Sequence, residues 1–292
     1  MYQKAILLLI LVLSSIFIFA CSGGKMEETQ PKFDSIKDVP DAVWQKLKNK
    51  KIYFGHRSVG NNILDGVKDI MKENPKIQLN IVETTDQADF NVGLLGHSPI
   101  GDNGDPISKI NAFSDVIENG LGKKVDIASL KFCFADFTTK TKDITKIFND
   151  YKNTMSQLKK KYPKTAFVHF TIPLVVNKAN WKTRIKTLLG RKEIWEYDQN
   201  IIKNEYNKLI RKEYNGKNIV FDIAKIESTY PNGDRSTFTR NGKTYYTLVP
   251  EYSRGGAHLN EVGRMKVAEQ LLVFLAKLSR MVTSSLGNEN FN

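Results

Sequence analysis

The chain has 292 residues and a mass of 33.2 kDa, with 44 Lys and Arg against 31 Asp and Glu, a net charge of +13. Its 41% hydrophobic and 26% charged residues exclude the disordered and fibrous classes. Two cysteines exclude a disulfide scaffold and a thiolate zinc site.

The chain opens with Lys4 and an apolar run over residues 5–20, which is shorter than the roughly 20 residues a membrane span needs. The run ends Ile18-Phe-Ala20-Cys21-Ser-Gly-Gly and resembles a bacterial lipoprotein signal, in which Cys21 would carry the lipid. An uncleaved anchor and a plain secretory peptide are the alternatives. Acyl chains contribute ~0.8 kcal/mol per buried methylene, so two or more on one cysteine hold a protein at a membrane. The expected location is therefore the cell envelope, with the domain facing the periplasm or the exterior. Residues 1–20 read as leader, 21–36 as a polar tether, 37–282 as one domain and 283–292 as a disordered tail. Cys133, in an apolar stretch, reads as a small buried hydrophobe. The basic balance is mostly lysine (44 basic residues, 9 of them Arg), which suits solvated helix faces; no nucleic-acid partner is expected.

Strands are predicted at 51–55, 77–83, 125–132, 165–174 and 218–223. Helices are predicted at 59–73, 106–119, 143–162, 193–214 and 260–282, the last with Leu271, Leu272, Leu275 and Leu278 on its buried stripe. This alternation predicts an α/β fold with a mostly parallel five-stranded sheet covered on both faces. Asn241-Gly242, between two β-rich runs, predicts a hairpin excursion. In such sheets the site forms at the carboxyl ends of the strands, here the loops 55–60, 84–105, 133–142, 174–192 and 224–260.

The phosphate loop, the dinucleotide fingerprint, His-Glu-x-x-His and Gly-x-Ser-x-Gly are all missing. Four histidines scattered over positions 56, 97, 169 and 258 give a metal cluster little support. What remains is Gly55-His56-Arg-Ser58-Val-Gly60 at a strand-to-helix turn and Gly255-Gly-Ala-His258-Leu-Asn-Glu-Val-Gly263 before the last helix. A serine on such a turn exposes its hydroxyl beside helix N–H groups, and a late-loop histidine can act as its base.

At these residues the chain resembles the SGNH, or GDSL-like, hydrolases, and most closely a bacterial branch with a Gly-His-x-Ser-Val-Gly start. The resemblance implies a flavodoxin-like three-layer α/β/α sandwich and an ester-cleaving Ser-His acyl-enzyme mechanism without metal or organic cofactor. It carries the nucleophile onto Ser58 and the base onto His258, with His56 a further site candidate. Gly96, or alternatively Gly101, would give an oxyanion N–H. The family's Gly-x-Asn-Asp reads Cys133-Phe-Ala135-Asp136 here, so Asn103 would replace the missing Asn. Gly255 stands where the family has its acid, leaving Asp136 or Glu251 to orient His258, or His258 to work in a dyad with a backbone acceptor. The expected substrate is a small-molecule or glycan ester, such as an O-acetylated glycan. A glycan- or protein-binding lipoprotein and an O-acyltransferase are the alternatives. His169 reads as a core histidine; Trp181, Trp195, Tyr245 and Tyr246 read as packing residues or as the wall of a sugar cleft.

Overall fold

The computed structural model describes residues 33–177, 189, 195–216 and 219–287. Strand β1 (Lys51–His56) lies between β3 (Leu94–Pro99) and β4 (Ile127–Leu130), parallel to both. β2 (Ile81–Glu83) extends the β3 edge, while β5 (Ala166–Phe170) and β6 (Val220–Phe221) extend the other. The order is β2-β3-β1-β4-β5-β6, every pairing parallel. Without short β2, the remaining five follow the 2-1-3-4-5 order of flavodoxin-like sheets, whose switch point falls between β1 and β4.

The sheet thus has six strands where five are predicted from sequence. The added strand, β3, carries Gly96, His97 and Pro99, residues that dilute a β signature. It is held nonetheless by pairing on both sides and by a 2.7 Å hydrogen bond between the Tyr53 and Ser98 hydroxyls.

Side chains alternate across β1. Ile52 and Phe54 enter one core and Tyr53 the other, as the period of two requires. The first core is closed by α1 (Asp41–Lys48), α2 (Val59–Glu73), α6 (Ile223–Glu227) and α7 (Glu261–Gly287). The second is closed by α3 (Pro106–Glu118), α4 (Ile144–Lys161) and α5 (Trp195–Tyr214). The result is a three-layer α/β/α sandwich.

Phe33, before the predicted domain start at 37, is buried in the first core, and α7 runs to Gly287, beyond the predicted end at 282. The predicted hairpin is present as β7 (Thr237–Arg240) and β8 (Lys243–Tyr246), with Asn241 and Gly242 both at positive φ. The leader, Cys21 and Trp181 lie outside the described residues. Among the described residues no helix is long and apolar enough to cross a membrane.

Leu272, on α7, is fully buried in the first core. Leu272→Ala is expected to lower stability by about 2–5 kcal/mol, as read by urea unfolding.

Candidate active site

The turn from β1 into α2 places Ser58 at φ 54° and ψ −105°, a region that residues with a Cβ rarely occupy. Serine in the position before a helix usually caps it. Here the hydroxyl makes no capping bond. Instead Ser58 Oγ lies 2.6 Å from His258 Nε2, although the two are 200 positions apart. For the hydroxyl to donate, Nε2 must be the unprotonated nitrogen, which is the tautomer a general base needs.

His258 is placed by its own backbone. It lies on β10 (His258–Leu259), paired antiparallel with β9 (Ser253–Arg254), and Leu259 N–H donates to Asn62 Oδ1 on α2 at 3.3 Å. Asn260 then caps α7, accepting from Gly263 N–H at 3.0 Å, while its amide donates to the Glu251 carbonyl. The Phe134 ring stands perpendicular to the imidazole, centroids 5.3 Å apart. Phe134 escaped the sequence reading because its partner is remote in the chain.

No carboxylate among the described residues bonds to His258. Asp136, expected to orient it, is buried elsewhere: its oxygens lie 2.7 and 2.8 Å from Lys109 Nζ and also accept from Cys133 and Gly104 N–H. Glu251 contributes only its main-chain carbonyl. Among the described residues the pair is therefore a Ser–His dyad.

Two oxyanion assignments change. Gly96 sits inside β3, opposite Tyr53 and Val82, and a Cβ there would fall 2.4 Å from the Phe90 ring. It is a packing glycine within the sheet. Asn103 Oδ1 accepts from Lys109 Nζ at 2.9 Å, and Asn103 makes no hydrogen bond to Ser58 or His258 among the described residues. Gly101, the alternative, fits better. The register pairs His56 with Pro99 at the carboxyl end of β1, which brings the loop holding Gly101 to the rim on which Ser58 stands. Ile100 N–H donates to the His56 carbonyl and Arg57 Nε to the Ile100 carbonyl, which keeps the two loops together. Among the described residues neither Ser58 N–H nor Gly101 N–H has an intramolecular acceptor.

His56 is built into the turn and makes no hydrogen bond to Ser58 or His258 among the described residues. Its ring is buried, stacks on Phe54 at 4.7 Å between centroids, and meets His97 Nδ1 through Nε2 at 3.2 Å. No third potential ligand joins these two histidines into a metal site among the described residues. Burial, then the Lys131 charge, then His97, push His56 down to about 3. Burial also lowers His97. A Cβ on Gly60 would strike the His56 ring at 2.3 Å, so the first turn of α2 closes directly over it. This accounts for Gly60 in the Gly-His-x-Ser-Val-Gly stretch. His169 is a core histidine as expected, its Nδ1 2.7 Å from the Tyr151 hydroxyl.

No family model and no curated protein matches the chain. Solved structures are similar in fold. A GDSL-like lipase from Bacteroides thetaiotaomicron is 13% identical, with 82% of this chain and 90% of that one covered and a TM-score of 0.44. The lipase/acylhydrolase from Enterococcus faecalis is 14% identical, covering 81% and 96%, TM-score 0.42. The periplasmic domain of a lipopolysaccharide acetyltransferase from Salmonella ser. Paratyphi A is 13% identical, covering 77% and 84%, TM-score 0.44.

His56 has a pH consequence. The folded protein keeps it neutral down to about 3, whereas in the unfolded chain it protonates near 6.5. Acid therefore favours unfolding, and the stability present above 6.5 falls by up to about 1.4 kcal/mol per pH unit below it. In urea unfolding across pH 7 to 4, His56→Gln is expected to show a shallower acid slope than the wild type.

Proposed function

We propose that the chain is a lipid-anchored envelope hydrolase that cleaves an ester, an O-acetyl group on a glycan, through Ser58 and His258. The observation that carries it is the 2.6 Å contact between Ser58 Oγ and His258 Nε2, with the hydroxyl free of helix capping. His258 Nε2 takes the hydroxyl proton as Oγ attacks the ester carbonyl, and the carbonyl oxygen becomes an oxyanion facing the Ser58 and Gly101 N–H groups. As the tetrahedral intermediate collapses, the alcohol leaves with the proton from His258, and Ser58 holds the acyl group. Water then attacks, its proton passing to His258, and the acid departs with Ser58 restored.

The glycan substrate and the envelope location rest on the lipoprotein-like Ala20-Cys21 junction and on the family resemblance. A lipid-anchored domain meets surface polysaccharide and has little access to cytoplasmic esters. Hydrolysis of p-nitrophenyl acetate by the detergent-solubilised protein tests the chemistry. Ser58→Ala and His258→Ala are each expected to lose about 10³-fold or more in kcat; rates equal to the wild type would remove the hydrolase. The anchor has its own test: Cys21→Ser is expected to abolish palmitate labelling and release the protein from membranes.

A further inference from the structure

We infer that Lys109, through its ion pair with Asp136, is a positioning residue that sets the oxyanion-binding loop. This rests on the hydrolase assignment above and adds to it the device that holds Gly101 in place.

Both side chains are fully buried. Lys109 Nζ reaches both Asp136 oxygens and Asn103 Oδ1, so three polar contacts match its three protons. Asp136 in turn accepts from Gly104 N–H at 2.9 Å and Cys133 N–H at 2.7 Å. One ion pair therefore joins helix α3, the loop after β3 that holds Gly101, and the loop after β4 that brings Phe134 to His258. The fit is close: a Cβ on Gly101 would lie 2.5 Å from Lys109 N, and Gly101 itself has φ +51°.

Stability alone does not call for this arrangement. A buried ion pair is commonly matched or exceeded by apolar residues of similar volume, because its attraction must first offset the desolvation of both charges. An apolar pair, however, would leave Asn103 and the Gly104 and Cys133 N–H groups unheld. What the ion pair adds is the geometry of two loops at the switch point, where a displacement of about 1 Å can cost ~10²-fold in rate.

The test uses the full-length enzyme with p-nitrophenyl acetate as substrate and methylboronic acid as a tetrahedral analogue on Ser58. In Lys109→Met/Asp136→Leu, with folding checked by circular dichroism, kcat is expected to fall about 10- to 100-fold. KM should move less than about 2-fold, and boronate affinity should fall in step with kcat, since only the tetrahedral species uses the oxyanion loop. Asn103→Ala, at an exposed position, should give the same signature at about 3- to 10-fold, and it decides the matter if the double variant does not fold. A folded double variant with wild-type kcat and boronate affinity overturns the inference, as does a loss of kcat with boronate affinity unchanged. A Ser58-dependent rate indifferent to the ion pair removes this proposal alone, whereas a Ser58→Ala rate equal to the wild type removes the hydrolase and this proposal with it.

Discussion

A backbone at φ 54° and ψ −105° carries on the order of 1–3 kcal/mol of strain for a residue with a Cβ, and it persists only where its surroundings compel it. At Ser58 the compulsion comes from both flanks. β1 delivers His56 into a buried slot formed by Phe54 and His97, and α2 begins at Val59, which is fully buried. Two residues, Arg57 and Ser58, must therefore reverse the chain between two immobile neighbours. The turn that results aims Oγ outward at His258 and leaves the Ser58 N–H unused. It also stands beside the loop after β3, which the β1–β3 register brings to the same rim. The exposed hydroxyl and its contact with the base both derive from that reversal, so packing beneath the site and chemistry on it form one problem.

How much of this was legible in the sequence depends on which physical signal each element carries. The five longest described helices are readable because an apolar stripe repeats on a 3.6-residue period, and α2 spans the predicted 59–73; the shorter α1 and α6 lie outside the predicted set. The ends of β1 and α7 were readable because Ser58 and His258 lie at chain positions where chemistry is common. β3 was not, since its Gly, His and Pro hide a strand that tertiary pairing enforces. That single omission has consequences. With residues 94–99 read as loop, Gly96 became an oxyanion candidate and His97 a stray residue. With the strand in place, Gly96 is interior, His97 meets His56, and Gly101 becomes the first glycine past the carboxyl end.

Asp136 was illegible for another reason. An acid after a central strand is as compatible with a triad as with a buried ion pair, and the decision lies 27 positions upstream with Lys109. One signal was available: Lys109 falls in the apolar stripe of α3 made by Pro106, Ile110, Phe113 and Ile117, where a charge has to be satisfied internally. The same logic governs the opposite face of the sheet. Burial brings Lys131 down to about 8 and raises Glu227 to about 8, and the Lys131 charge helps keep His56 neutral. The layer under the site is thus polar, and its charges bear on the turn through His56.

A dyad with no bonded carboxylate among the described residues raises the question of what replaces it. In a triad the acid orients the imidazole and stabilises its protonated form, and losing it can cost ~10⁴-fold. Orientation is supplied here by the β9–β10 pairing, the Leu259–Asn62 bond and the Phe134 ring, so that part of the loss is recovered. Electrostatic stabilisation of the imidazolium is not recovered by any bonded acid among the described residues. Such a base is best matched to substrates whose leaving group departs easily once the oxyanion forms. Esters meet that requirement and amides do not, because an amine must be protonated before it leaves.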